Sequence, residues 1–312
     1  MNVAIVHSHQ YGDWVFDKSH PTQGRRFILA KEILCRKLFE KNIHYTLHQP
    51  RRATINELYR VHGSEYVHQV LDGQISNEWV GKRSDLAELA ALFAGGTLVA
   101  LDELLSGRSH TAIHFPSAKH HAQIDHSSGF CIFNDFALAA DLATNIHGKK
   151  VAILDIDAHH GDGTENLTAE NPMVMTYSIH QYGIFPGTGL LNDPERNVFN
   201  FPLYPGNPNE EIGMGDNALL HGALDFMQKM KVFNPDLLFI ACGADGHFQD
   251  PLSNLNYSTR GITKIAKLLR TKYPKMPILL GGAGGYLPDT RTPEVWSEFA
   301  LALATLKANQ SD

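Results

Sequence analysis

Cysteine is scarce in this 312-residue chain: Cys35, Cys131 and Cys242 stand far apart and are odd in number. No C-x-x-C pair occurs, so neither a disulfide framework nor a thiolate zinc site is supported. A reducing cytoplasm is the expected setting. Long apolar runs are missing as well. None approaches the ~18 residues of a membrane span, and the opening MNVAIVHSH is too short and polar for a signal peptide. Positive charge is not in excess. A net charge of −6 argues against a dedicated nucleic-acid binder but leaves a basic peptide open as substrate. There is no internal repeat, no low-complexity tract and no linker between two cores. One domain spanning residues 1–312 is therefore expected, with an ordinary globular balance of 43% hydrophobic and 19% charged residues. Nothing in the sequence fixes an oligomeric state.

Apolar runs alternate with segments of helical period. Strands are predicted over Val3–Val6, 45–47, Thr111–His114, 151–156, 174–179, 237–242 and 277–280. Helices are predicted over Arg25–Glu40, 85–105, 133–145, 211–230, 258–269 and 293–306. In the first helix Phe27, Ile28, Ala30, Ile33, Leu34, Leu38 and Phe39 form the apolar face. Residues 183–208, rich in Gly, Pro and Asn, read as a long surface loop. Strands alternating with helices imply an α/β fold with a mostly parallel sheet, and strands this apolar suit burial by helices on both faces.

Histidine is abundant, at 18 residues. The densest chemistry lies in LDIDAHHGDGTE (154–165), directly after an apolar run. Asp155, Asp157 and His159 alternate, so extended backbone puts them on one face, at the C-terminal end of a predicted strand. Ligands bind at such ends of parallel α/β sheets. Three further segments end alike: LLFIACGAD delivers Asp245, TAIHFPSAKHH delivers His120 and His121, and PILLGGAGGY delivers Tyr286 after four glycines.

Two carboxylates and an imidazole suit a divalent metal, and three protein ligands leave an open position. Asp157, His159 and Asp245 fit that requirement. Zn²⁺ or Fe²⁺ would both be accepted by this set. Such an ion lowers the pKa of water towards ~7. Hydrolysis also needs a proton acceptor and donor. His120 and His121 are candidates, with Asp155 and Asp162 available to orient their rings. The Tyr286 phenol can hydrogen-bond a developing oxyanion, and the glycines before it permit close approach. Gly281–Gly285 lacks the G-x-x-x-x-G-K-[ST] pattern of a phosphate loop.

Taken together, HHA (120–122), SGFCIFND (128–135), DIDAHHGDGT (155–164), FPGTG (185–189), GADGHFQDPL (243–252) and GGAGGY (281–286) resemble, in order, the zinc-dependent histone deacetylases and their bacterial relatives. Those relatives include the acetoin-utilisation and acetylpolyamine amidohydrolase branches. The resemblance covers nearly the whole chain and implies the arginase/deacetylase fold. It implies Asp157, His159 and Asp245 as zinc ligands. It also implies His120 paired with Asp155, His121 paired with Asp162, and Tyr286 as oxyanion donor. Gly129, Phe130 and Phe185 correspond to the narrow acyl-lysine tunnel. A K⁺ site falls on Asp155, Asp157, His159, Ser178 and the backbone of Ile179.

Three departures bear on substrate. Lys119 precedes the histidine pair where much of the family has glycine, and reads as a charge near the tunnel mouth or the acid/base pair, or as a surface residue. The segment at 77–84 lacks the Asp with which some relatives grip substrate backbone, although Asp85 is close. Leu252 stands where polyamine-preferring relatives carry Glu, which favours acyl-lysine, in a peptide or protein, or another neutral acyl-amide over acetylpolyamines. The expected activity is a zinc-dependent deacylase of acyl-lysine. The alternatives are a small-metabolite amidohydrolase and a catalytically silent scaffold that binds acylated partners.

Overall fold

The computed structural model describes residues 2–74, 79, 81–204 and 214–305. Eight strands form one sheet: β1 (Val3–Val6), β2 (Tyr45–His48), β3 (Thr111–His114), β4 (Val151–Asp155), β5 (Val174–Gln181), β6 (Val198–Leu203), β7 (Leu237–Ala241) and β8 (Ile278–Gly281). Their order is β2-β1-β3-β8-β7-β4-β5-β6, and every neighbouring pair is parallel.

The helices are α1 (Arg25–Glu40), α2 (Ile55–Leu58), α3 (Ser64–Leu71), α4 (Ser84–Leu105), α5 (Asp135–Asp141), α6 (Asp162–Thr168), α7 (Asp216–Phe233), α8 (Thr259–Lys272) and α9 (Arg291–Ala304). They pack as two runs, α1-α9-α8-α7 and α3-α4-α5-α6. Every residue of β1, β3, β4, β5, β7 and β8 is buried. Since successive strand residues face opposite sides, both faces of the sheet are covered. Each fully buried Val, Leu or Ile there contributes about 1.5–3 kcal/mol.

Helix α4 is, by length and composition, apolar enough to cross a membrane, which corrects the expectation that no segment approaches a span. Its apolar window is 78% buried inside the protein, so it serves as a core helix against β1, β3 and β8.

Several boundaries differ from the sequence reading. The segment 183–208 is not wholly loop: β6 runs through it and pairs with β5. Pro202 is tolerated because β6 is an edge strand. Residues 205–208 lie outside the described residues, as do 211–213 at the start of the fourth predicted helix and Leu306 at the end of the last. The helix expected over 133–145 starts only at Asp135, where the Asn134 side chain accepts from the Ala137 amide, and it widens to a π-turn at Leu142–Ile146. Helices α2, α3 and α6 are too short to show a clear period. On α1, Phe39 is exposed, and the buried stripe is Arg26, Phe27, Ala30, Leu34 and Leu38.

Candidate active site

Polar side chains converge where β4, β7, β8 and the segment after β3 end. Asp157 and His159 follow β4, and Asp245 follows β7; all three are buried, and one ligand atom from each lies within 4.8 Å of the others. Backbone amides aim the carboxylates. Gly284 N–H donates to Asp157 Oδ2 at 2.6 Å, and Ala158 N–H to Asp245 Oδ1 at 2.9 Å. The ring atom that faces the acids is His159 Nδ1, 3.2 Å from Asp157 Oδ1 and 2.9 Å from Asp245 Oδ2.

Burial and the neighbouring Asp157 charge push Asp245 up to about 7. Two dry carboxylates this close repel unless a cation neutralises them. A borderline imidazole and two hard oxygens, with an adjoining cleft, are the donor set of a divalent ion. The residues fit such an ion.

The histidine pair is set by a second buried acid. Asp135 accepts from the amides of Ala118 at 3.1 Å and Lys119 at 2.8 Å, fixing the turn that leads into it; Ala118 has φ of +66°. His120 Nδ1 is 2.6 Å from Asp155, and His121 Nδ1 is 2.7 Å from Asp162. Burial acts to lower both rings. For His120, Asp155 and Asp157 override it and raise the ring to about 9. For His121, burial and the His120 charge prevail over Asp162 and hold it at about 4. The two acids thus favour the charged ring at His120, while burial favours the neutral ring at His121.

A cavity of about 430 Å³ reaches these groups from solvent, lined by His121, Gly129, Phe130, His159, Ile184, Phe185, Leu252 and Tyr286. Phe185 lies 5.0 Å from the His121 ring, and Phe130 lies 6.1 Å from the Tyr286 ring. Gly129 sits at φ of +54°, and a Cβ there would come within 2.3 Å of His121. The Tyr286 ring is 6.5 Å from that of His159. Burial, reinforced by Asp245 and Asp157, raises the phenol well above its ordinary value, so it stays protonated and able to donate. Ser178 lies opposite Asp155 in the β4–β5 register, with buried Ile179 next to it.

All the residues singled out from the sequence thus meet at one place, with two corrections. Lys119 is neither on the surface nor at the tunnel mouth. It is buried, with its ammonium among the rings of Trp14, Phe27 and Phe93. Asp85 is no free substrate grip. It pairs with Arg83 at 2.8 Å, and Arg83 also holds the carbonyls of Val15 and Phe16. Residues 77, 78 and 80 of the same loop lie outside the described residues.

Sequence reasoning missed three contributors, Ile184, Asp250 and Arg26. Ile184 lines the cavity, where the neighbouring His20 ring packs 4.6 Å from Phe130. Asp250 accepts from the Tyr286 amide at 2.7 Å. Arg26 donates to the carbonyl of Gly285. The only available signal for Arg26 was its place beside Phe27 on the buried stripe of α1.

A parallel sheet that brings a buried Asp–His–Asp cluster, two carboxylate-held histidines and a phenol to one cleft defines an α/β protein equipped for metal-assisted hydrolysis. Comparison with known proteins narrows this. The family described as histone deacetylase domain matches residues 20–303. Acetoin utilization protein AcuC of Staphylococcus aureus (strain MRSA252) is 30% identical over 96% of this chain and 81% of its own length. Its counterpart from Bacillus subtilis (strain 168) is 29% identical over the same shares, 96% and 81%. Histone deacetylase HDAC1 of Drosophila melanogaster is 30% identical over 99% of this chain and 61% of its own. The crystal structure of the HDA15 HD domain superposes with a TM-score of 0.82 at 24% identity, covering 97% of this chain and 88% of that one, a likeness of fold. The chain belongs to the histone deacetylase domain family, and its enzyme class is that of hydrolases acting on acetylated amides.

Proposed function

We propose that the chain, as one catalytic unit, is a zinc-dependent deacylase that hydrolyses N6-acyl-lysine to a carboxylate and the free amine. The observation that carries this is the meeting of the Asp157–His159–Asp245 cluster with the His121–Asp162 pair at the foot of a cavity bounded by Phe130 and Phe185. The cavity suits an extended, apolar methylene chain with a polar amide at its tip. Asp157, His159 and Asp245 would hold the ion. When bound, it supplies Lewis acidity to a carbonyl and to water. Iron(II) is accommodated by the same donors.

The side chains do the rest. His121, neutral and oriented by Asp162, takes a proton from the attacking water and returns one to the leaving nitrogen. His120, kept cationic by Asp155, adds positive potential where oxyanion charge develops. The Tyr286 hydroxyl donates to that oxyanion, and the cavity walls exclude bulk water from it. K⁺ beside Asp155, Asp157, His159, Ser178 and Ile179 would offset the clustered acids. A cytoplasmic setting is part of the same proposal; Cys35, Cys131 and Cys242 form no disulfide with one another.

The test is turnover by purified protein of acetyl-, trifluoroacetyl- and long-chain-acyl-lysine fluorogenic peptides, with N-acetylputrescine alongside, with and without chelator and added Zn²⁺. Chelator-sensitive release from the lysine substrates supports the reading. Preference for N-acetylputrescine moves the substrate to small acylated amines, against which Leu252, an aliphatic residue on the cavity wall, now argues. Zinc bound with no turnover on any substrate favours a silent acyl-lysine-binding scaffold.

A further inference from the structure

Behind the histidine pair the end of β3, α4, the start of α5 and a short 3₁₀ turn, His9–Asp13, meet at a buried polar junction. Its side chains are Tyr11, Thr97, His114, Ser117 and Asp135, each 0% exposed, so bulk water reaches none of them. The Tyr11 hydroxyl lies 2.8 Å from His114 Nε2. On the other edge of that ring, Nδ1 lies 2.7 Å from Ser117 Oγ and 3.0 Å from Thr97 Oγ1. The two hydroxyl oxygens are 2.8 Å apart, and Thr97 Oγ1 is 2.6 Å from Asp135 Oδ2. Gly96 leaves the space for this: a Cβ there would stand 2.6 Å from His114 Nε2 and 2.8 Å from the Tyr11 hydroxyl oxygen.

The hydrogens give the network a direction. An ionised carboxylate accepts and does not donate. The single hydroxyl hydrogen of Thr97 therefore goes to Asp135, the nearer and charged acceptor, rather than to the Phe93 carbonyl at 3.2 Å. Among the described residues the Tyr11 hydroxyl meets no acceptor but His114 Nε2. A buried hydroxyl hydrogen without a partner is costly, so Nε2 accepts it and the ring proton sits on Nδ1. Burial, with the charges of His7 and Lys119, holds that ring well below its ordinary value, so it is neutral and has one proton to place. Nδ1–H then donates to Ser117, and Ser117 to Thr97. Every hydrogen points the same way, from Tyr11 to Asp135.

The last link bears on the reaction. Asp135 holds the amides of Ala118 and Lys119, and this turn runs without a break into His120 and His121. Burial raises the Asp135 carboxyl, opposed first by the Thr97 hydroxyl and then by the two amides and the Lys119 charge. Ala118 stands at φ of +66°, a conformation that a residue other than glycine keeps only where its surroundings hold it. Here that hold is Asp135.

Resting on the deacylase reading above, we propose that Thr97, Ser117, His114 and Tyr11 are positioning residues for the reaction: their one-way network keeps Asp135 an acceptor, and Asp135 keeps the turn that sets His121 at the cavity. None of the four lines the cavity. They act on turnover through the placement of the histidine pair, and the walls at Phe130 and Phe185 stay as they are.

The experiment compares matched variants of Thr97 in the zinc-loaded protein, assayed on an acetyl-lysine peptide with kcat counted per bound zinc. Thr97→Val exchanges the hydroxyl for a methyl of similar shape. It should lower kcat by about 10- to 10²-fold with KM unchanged, since a displaced acid/base group loses rate rather than binding. Thr97→Ser keeps the hydroxyl and should recover most of that loss. Thr97→Ala differs from Thr97→Ser by the hydroxyl alone; it should repeat the Thr97→Val defect, and it takes the place of that variant if Thr97→Val does not fold. A merely structural role would lower the melting temperature and leave kcat per zinc unmoved. Unchanged kcat in Thr97→Val, equal defects in Thr97→Ser and Thr97→Ala, or a loss carried by KM overturns the proposal. Isotope-edited NMR of the histidine ring nitrogens reads the network without turnover. His114, assigned by its contact with Tyr11, should show a neutral ring protonated at Nδ1, and a ring protonated at Nε2 overturns the proposal whatever the kinetics. No turnover of any acyl-lysine by the unsubstituted protein, with the Nδ1 signal in place, counts against the deacylase reading while the network stands.

Discussion

The ring centres of His120 and His121 lie 4.0 Å apart, yet each imidazole is held by its own acid, Asp155 for the first and Asp162 for the second. The pair therefore divides its labour. Of the two rings, His121 is the one that lines the cavity. His121→Ala is expected to lower kcat by about 10²- to 10⁴-fold, the range for a positioned acid/base. Asp162→Asn should fall in the same direction by about 10²-fold or more, because an amide that donates to Nδ1 stabilises the wrong tautomer. Steady-state kinetics on an acetyl-lysine peptide reads both. Full activity in His121→Ala would remove it from the mechanism.

Tyr286 offers a cleaner separation of chemistry from metal binding. Its ring stands beside His159, and it is not part of the Asp157–His159–Asp245 cluster. Tyr286→Phe should raise the barrier by about 2–4 kcal/mol, as expected for losing one oxyanion donor, which is roughly 30- to 1,000-fold in kcat. Zinc content, measured by elemental analysis, should match that of the unsubstituted protein. A loss of zinc along with activity would mean that the tyrosine supports the site rather than the transition state.

Much of this site was legible because its parts are compressed. Asp155, Asp157, His159 and Asp162 fall within eight residues that begin with the last residue of β4, and the other contributors follow strands recognisable by their apolar runs. A parallel sheet gathers such ends on one edge, so the local pattern predicted the meeting. Strand β6 was hidden for the converse reason. Its sequence, VFNFPL, contains a proline and sits among turn residues, and only pairing with β5 makes it a strand. The surface and tunnel-mouth readings of Lys119 failed because its burial is a long-range property. Trp14, Phe27 and Phe93 reach it from a loop, α1 and α4, and nothing near residue 119 announces them. Arg26 was overlooked because arginines at a helix start usually face water, as its neighbour Arg25 does.

Leu252 tests substrate choice at the rim, where it lines the cavity and is 38% exposed. Leu252→Glu places a carboxylate where the distal ammonium of N-acetylputrescine would emerge. An exposed ion pair contributes about 0.2–1 kcal/mol, so the kcat/KM ratio of N-acetylputrescine to acetyl-lysine peptide should rise by up to about fivefold. The gain should shrink as salt is added. A ratio that does not move at low ionic strength would show that the distal amine leaves by another path.

His62 gives a stability prediction independent of catalysis. Its Nδ1 donates to the Gln123 carbonyl at 2.8 Å, and its Nε2 accepts from the Asn134 amide at 2.9 Å, so the folded protein requires the neutral ring. Burial, opposed by the carbonyls of Gln123 and Ile124, lowers it from 6.5 to about 4. The sign follows from linkage. Above pH 6.5 the ring is neutral in both states and has no pH effect. Between pH 6.5 and about 4 the unfolded chain binds the proton first, so folding stability falls as pH falls. Below about 4 both states are protonated and the loss levels off. The slope from this one ring is at most about 1.4 kcal/mol per pH unit. Buried His7, His114 and His180 are also lowered and add slopes of the same sign, so the comparison must be by difference. Urea unfolding of the unsubstituted protein and of His62→Gln, measured from pH 7 to pH 4.5, should show a shallower decline in the variant by about 1 kcal/mol per unit. That holds even if the variant starts from lower stability, since the reading is the slope. Identical slopes would mean that the folded protein takes up the His62 proton as readily as the unfolded chain, giving up the Asn134 contact at no cost.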